Sequence, residues 1–250
     1  MIFITGASSG IGTACAERFA AEKRNLILCA RRIDRLDALA SNLTKRFGVE
    51  IHTIQLDVCQ KNQVFNMAHR HRALLERVDV LINNAGLALG LEPLQNGNPD
   101  QWDQMIDTNV KGLLYVTRAI SPLLIAKGHG HIVNIGSVAG HWVYPNGNVY
   151  VATKHAVRAL NEAMRLDFHG TGVRVTTVDP GMVETEFSQV RLGDVQAAKR
   201  VYEGMTPLSG ADIADAVYYA CSRPAHINIQ EMVIFPTDQA SVGMVKRTVK

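Results

Sequence analysis

Tyr150 stands four residues before Lys154 in Tyr150-Val151-Ala152-Thr153-Lys154, and Ser137 lies thirteen residues upstream of the tyrosine. On a helix, positions i and i+4 share one face, so phenol and ammonium become neighbours. A free phenol titrates near pH ~10 and is a poor base at neutral pH. An adjacent cation favours the phenolate, so the pair predicts a lowered value for Tyr150. Such a phenol can protonate a carbonyl oxygen or take up a hydroxyl proton. A serine hydroxyl at the C-terminal end of a strand can hold the same oxygen, where ligands of open α/β sheets bind. The spacing does not suit a serine hydrolase, because the elbow G-x-S-x-G needs glycine at the position Ile135 occupies. The close histidine pairs, His69 with His71 and His129 with His131, lack an HExxH pattern or cysteine partners, so no metal is expected.

A second cluster opens the chain, Thr5-Gly6-Ala7-Ser8-Ser9-Gly10-Ile11-Gly12. Gly6 lets the chain turn sharply out of a strand. Gly10 and Gly12 remove side chains where a pyrophosphate would approach the N–H groups of a helix start, whose dipole favours the anion. An NAD site carries a carboxylate about 20 residues further on, to bond the ribose 2′-hydroxyl. Here that region reads Cys29-Ala30-Arg31-Arg32. Guanidinium groups bind a 2′-phosphate bidentately, which points to NADP. Asp34 falls a turn later and suits the helix dipole instead.

These residues need a frame to bring them together, and the hydropathy pattern supplies one. Short apolar runs at 2–5, 26–30, 51–58, 78–82, 131–135, 173–178 and 228–235 read as strands. Amphipathic stretches at 11–23, 33–47, 63–75, 149–169 and 209–222 read as helices. Residues 99–126 read as two helices broken around 109–112, and 186–208 as irregular and polar. Continuous apolar strands alternating with helices indicate a single-domain, doubly wound (Rossmann) α/β fold over residues 1–250. Its seven-stranded parallel sheet would carry helices on both faces.

The chain has 250 residues with 26 Lys+Arg against 23 Asp+Glu, a net charge of +3. With 47% hydrophobic and 20% charged residues it is globular rather than disordered. No basic block argues for nucleic acid, and no apolar run approaches the ~20 residues that span a membrane. Four scattered cysteines and no leader-like opening fit a reducing, cytoplasmic setting.

Taken in order, Thr5-Gly6-xxx-Gly10-x-Gly12, Asn83-Asn84-Ala85-Gly86, Ser137 and Tyr150-xxx-Lys154 resemble the short-chain dehydrogenase/reductase family over essentially the whole chain. The resemblance implies hydride transfer with Tyr150 as acid/base and Lys154 on the nicotinamide ribose. It implies a catalytic Asn109 holding a relay water, Asp57 and Val58 at the adenine, and Asn84, Ala85 and Gly86 by the cofactor. Ser8, Ser9 and Ile11 complete the phosphate loop. Pro180, Gly181, Val183 and Thr185 match the segment that meets the carboxamide. The stretches around Asn109, Ser137 and Tyr150 are similar to a bacterial subgroup of NADP-dependent 3-hydroxy acid dehydrogenases, homotetramers acting on serine, L-allo-threonine and related acids or semialdehydes. A small acid needs a cation in its pocket, and Arg191, in a lid at about 186–208, is the candidate, with Ser137 and Tyr150 on the reacting oxygen. A reductase of 3-oxoacyl thioesters and a non-catalytic NADP-sensing module remain the competing readings.

Overall fold

The computed structural model describes residues 1–248. It begins with β1 (Ile2–Thr5), α1 (Gly10–Ala21), β2 (Leu26–Ala30), α2 (Ile33–Phe47), β3 (Ile51–Gln55), α3 (Lys61–Arg70), α4 (Arg72–Leu75) and β4 (Val80–Asn83). It continues through α5 (Pro99–Ile106), α6 (Leu113–Lys127), β5 (Gly130–Ile135), α7 (Asn148–Asp167) and β6 (Val173–Pro180). After these come α8 (Glu186–Leu192), α9 (Val195–Arg200), α10 (Gly210–Cys221) and β7 (Glu231–Ile234). The first seven strands form one sheet in the order β3-β2-β1-β4-β5-β6-β7, with every pairing parallel. The order reverses between β1 and β4, and ligands of such sheets bind at that switch point.

The continuous apolar runs are explained by burial on both sides. Ile2, Ile4, Leu26, Leu28, Ile82 and Val133 pack under Cys15 and Phe19 of α1 and Ile213 and Val217 of α10. Phe3, Ile27, Leu81 and Ile132 face the other way, onto Val64 and Met67 of α3 and Val116, Ile120 and Leu124 of α6. Successive strand residues point to opposite faces, so both parities must be apolar.

The expected frame holds, with local differences. The helix expected at 63–75 is divided at His71 into α3 and α4, and the strands expected at 51–58 and 228–235 are shorter, Ile51–Gln55 and Glu231–Ile234. The expected break at 109–112 is a π-helical turn, Asp107–Gly112, that joins α5 to α6 without interruption. A π-bulge inserts a residue into a helix and redirects side chains, often at functional sites. Here it leaves Asn109 buried, and Gly112 sits where a Cβ would press on Val58. The expected irregular stretch at 186–208 instead contains α8 and α9. Thr185 caps the first, accepting from the Phe187 amide, and Asp194 caps the second, accepting from the Gln196 and Ala197 amides. Gly193, at φ +64°, ends α8. Past β7, where no further element is read from the sequence, the chain forms a hairpin of β8 (Gln239–Ser241) and β9 (Met244–Val245).

Candidate active site

A cleft of about 330 Å³ opens at the C-terminal ends of β1, β4, β5 and β6. Its floor is the glycine turn. Gly6 and Gly10 have φ of +65° and +56°, a region that glycine enters without strain. Gly12 does not line the cleft. It lies beneath it, where a Cβ would collide with the Gly6 carbonyl and the Asn84 amide. Asn84 Nδ2 donates to the Thr5 and Gly6 carbonyls at 2.9 and 3.1 Å, and the Thr5 hydroxyl accepts from the Asn84 and Ala85 amides at 3.0 Å each. The turn after β4 is thereby stitched to the turn after β1. No side chain caps α1, and its first turn carries no acid, so its leading N–H groups are free to meet an anion. These observations fit a dinucleotide pyrophosphate.

Arg31, Arg32, Asp57 and Val58 line the part of the cleft beyond β2 and β3. Arg32 donates to the Ser8 and Ser9 hydroxyls at 3.2 and 2.8 Å, so a guanidinium and two hydroxyls converge there and could hold a phosphate. No acid ends β2. Glu186 of α8 pairs with Arg32 at 3.0 Å and Arg35 at 2.8 Å. The two guanidinium groups hold its carboxyl below the usual range.

At the opposite end, β5 delivers Ser137 and α7 delivers Tyr150 and Lys154, all buried. Ser137 caps a short 3₁₀ turn, Val138–Gly140, accepting from the Ala139 amide at 3.1 Å. Lys154 Nζ donates to the Ile135 carbonyl at 2.9 Å and lies 5.9 Å from the Tyr150 ring centroid. The expected lowering of Tyr150 by Lys154 is not what this environment produces. Burial dominates and pushes the phenol up, while the Ser137 hydroxyl and the Arg191 charge pull it down. Lys154 is itself desolvated and falls to about 8, so it is a weaker cation than the i, i+4 argument assumed.

Arg191 does not line the cleft itself but a small adjoining pocket that it shares with Tyr150 and Gly90. Its guanidinium carbon is 5.4 Å from the Tyr150 ring centroid, with Nε on the Gly90 carbonyl and Nη1 on the Tyr144 hydroxyl, both at 3.2 Å. The Gly90 amide donates back to the Arg191 carbonyl at 3.2 Å, so α8 is docked across the mouth of the site. Asn109 is engaged as a brace. Its Oδ1 accepts from the Leu87 amide at 2.9 Å, and its Nδ2 donates to the Leu87 carbonyl and the Thr153 hydroxyl at 2.8 and 3.0 Å. It therefore ties the loop after Gly86 to α7.

Of the remaining expected residues, Ser8, Ser9, Ile11, Ala85, Gly86, Pro180, Gly181, Val183 and Thr185 all line the cleft. Phe187 of the expected lid lies 5.7 Å from the Tyr150 ring. Two contributors were not singled out from sequence: Glu186, an acid of the lid, and Gln239 of β8, a buried brace. Gln239 Oε1 accepts from the Met182 amide at 2.8 Å and so supports the segment after Gly181. The signals for the lid residues were the caps Thr185 and Asp194. A glutamine distant in sequence offered none.

A parallel sheet with a glycine cradle at its switch point and a Ser-Tyr-Lys cluster at the same edge defines a dinucleotide-dependent oxidoreductase. Residues 1–195 match the short chain dehydrogenase family, and the chain belongs to it. Among its relatives is the NADP-dependent 3-hydroxy acid dehydrogenase of Salmonella typhi, 44% identical over 98% of each chain. Sulfoacetaldehyde reductase 2 of Chromohalobacter salexigens is 47% identical over 96% of this chain and 95% of that one. The closed form of a serine dehydrogenase complexed with NADP⁺ superposes with a TM-score of 0.91 at 41% identity, covering 99% of both chains. Among the described residues no helix is long and apolar enough to cross a membrane.

Proposed function

We propose that the protein is an NADP(H)-dependent oxidoreductase. It interconverts a small 3-hydroxy acid of the serine, L-allo-threonine or 3-hydroxyisobutyrate type and the matching semialdehyde or 3-oxo acid. The observation that carries this reading is Arg191, held over Tyr150 at 5.4 Å by Gly90 and Tyr144. A guanidinium next to the proton-exchanging phenol selects a substrate with an anionic group a short distance from its reacting carbon. The same arrangement disfavours the long apolar chain of a 3-oxoacyl thioester. An intact Ser137, Tyr150 and Lys154 cluster argues against a silent sensing module. The resemblance to sulfoacetaldehyde reductase 2 supports a sulfonate in place of the carboxylate, since a guanidinium can donate to two oxygens of either anion.

When bound, NADP(H) supplies or accepts the hydride. The chain does the rest. Ser137 and Tyr150 hold the substrate oxygen, and Tyr150 donates its proton to it during reduction. Burial keeps that phenol protonated in the free protein, which suits the reductive direction. Lys154 orients the nicotinamide ribose and lends positive charge. Arg191 fixes the anionic end of the substrate, and α8 and α9 with the turn to residue 208 exclude water. Asn109, through Leu87 and Thr153, keeps α7 in register with the cofactor loop. We further assign the protein to the cytoplasm as a homotetramer, by analogy with the subgroup that its motifs resemble; light scattering tests the assembly.

The test is a substrate panel followed by reduced-nicotinamide absorbance. It holds L-serine, L-allo-threonine, 3-hydroxyisobutyrate, 3-hydroxypropionate, sulfoacetaldehyde and uncharged secondary alcohols, each with NADP(H) and NAD(H). Anionic substrates with NADP(H) should lead by about tenfold or more, and Arg32→Ala should erase most of the nucleotide preference, since charge-assisted bonds contribute about 1.5–3 kcal/mol. Preference for uncharged alcohols, or for NAD(H), would overturn the assignment.

A further inference from the structure

Two ionisable side chains, the buried Asp179 and the partly buried His141, have no role in the chemistry above, yet they lie next to its residues. Asp179 is the residue before Pro180 and Gly181. His141 closes the 3₁₀ turn that Ser137 opens. His141 Nε2 meets Asp179 Oδ2 at 2.8 Å, and the Thr177 hydroxyl donates to Asp179 Oδ1 at 2.7 Å. The side chains are 10% and 2% exposed, which separates this pair from the solvated ion pairs elsewhere on the protein. The carboxylate fills the space where a Cβ of Gly136 would be, so the glycine before Ser137 rests on it. The Gly136 amide also donates to the Val178 carbonyl at 2.9 Å.

With Glu231 the pair has the residue types of a cation site. Arg158 Nε, however, donates to the same Glu231 oxygen at 2.9 Å that lies 3.6 Å from His141. The positive charge there is already supplied by the protein. A structural role toward the reacting residues fits the geometry better.

We propose that Asp179, gripped by His141 and Thr177, is a positioning residue for proton exchange: it sets the Gly136 and Ser137 turn against the cofactor-facing Pro180 and Gly181. The inference rests on the reading of Ser137, Tyr150 and Lys154 as the reacting site. It has an electrostatic consequence. The charged and titratable groups that face Asp179 are His141 from the serine turn, Glu231 from β7 with Arg158 behind it, and Tyr150 and Lys154 from α7. Burial lowers Lys154 to about 8, and the Asp179 charge opposes that fall. Without the carboxylate Lys154 loses its proton at lower pH.

Asp179→Asn removes the charge and preserves the shape. It should lower kcat about 10- to 100-fold at pH 8 while KM and the NADP⁺ Kd stay within about threefold, the split expected when alignment rather than binding is lost. The alkaline limb of turnover, and the ¹⁵N resonance of Lys154 in lysine-labelled protein, should both move down by about one pH unit. His141→Gln presents an amide N–H to Asp179 and should stay within about threefold of the parent, whereas His141→Ala should fall with Asp179→Asn. Parental kcat with an unmoved Lys154 titration in Asp179→Asn would overturn the proposal. So would an activity loss matched entirely by lost folded protein. Failure of the functional reading is distinct: the parent turns over no anionic alcohol or aldehyde, while the Lys154 resonance still responds to Asp179.

Discussion

The glycine cradle and the lid serve neighbouring parts of one cleft but are built on different principles. The cradle, from Thr5 to Gly12, is backbone: positive φ at Gly6 and Gly10, a collision-tight Gly12, and Asn84 bonded to main-chain oxygens. The lid, α8 and α9, is attached mainly by side chains, beside the one main-chain bond from the Gly90 amide to Arg191: Arg191 to Gly90 and Tyr144, Glu186 to Arg32 and Arg35, and the Tyr202 hydroxyl to the Val183 carbonyl and Ser188. Backbone geometry tolerates almost no substitution and recognises what every dinucleotide has in common. Side-chain attachments are half-exposed, individually weak and replaceable, so the lid is where selectivity among substrates and nucleotides can vary.

That contrast can be broken or sharpened by mutation. The largest effect should come from Gly12→Val, whose side chain would meet the Gly6 carbonyl and Asn84. Overpacking there should cost about 3 kcal/mol of stability in thermal unfolding and abolish nucleotide binding in titration calorimetry. A folded variant with parental affinity would show that the cradle is not rigid. Arg191→Ala should come next, raising KM for an anionic substrate by about 10- to 100-fold and for an uncharged alcohol by less than about threefold. Equal effects on both would remove the charge-reading role.

Reductive turnover should then show an alkaline limb. Lys154, lowered to about 8, is charged below that pH and neutral above it, so rates should hold below pH 8 and decline above it. A profile flat to pH 10 would contradict the assigned state of Lys154. The smallest effect belongs to Glu186→Gln. It removes an exposed competitor for Arg32 and should tighten NADP⁺ by about two- to fivefold with no change for NAD⁺, as expected of surface ion pairs. Weaker NADP⁺ binding in that variant would mean Glu186 organises the guanidinium groups rather than competing for them.

The same division explains what sequence alone could reach. The strands, the parallel sheet, the cradle and the Tyr150/Lys154 face follow from period and spacing, because both faces of the sheet are buried and glycines mark the turns, whereas the order of the strands within the sheet does not. The helices of the lid escaped because they are short and polar, held by Thr185 and Asp194 caps rather than by an apolar stripe. The π turn escaped because its 107–112 residues carry an ordinary break signal. The state of Tyr150 escaped for a different reason. The i, i+4 rule places a cation nearby but is blind to burial, which here outweighs it and weakens the cation as well. Long-range partners such as Gln239 and the His141–Asp179 pair have no local pattern to betray them.

The central claim is that one phenol passes the proton that accompanies hydride transfer to an anionic carbonyl. Its most direct measurement is Tyr150→Phe, assayed by reduced-nicotinamide absorbance with the best substrate of the panel and, in parallel, by NADP⁺ titration. Turnover should fall by about 10³-fold or more while NADP⁺ affinity stays within about threefold. Parental turnover in that variant would contradict the account.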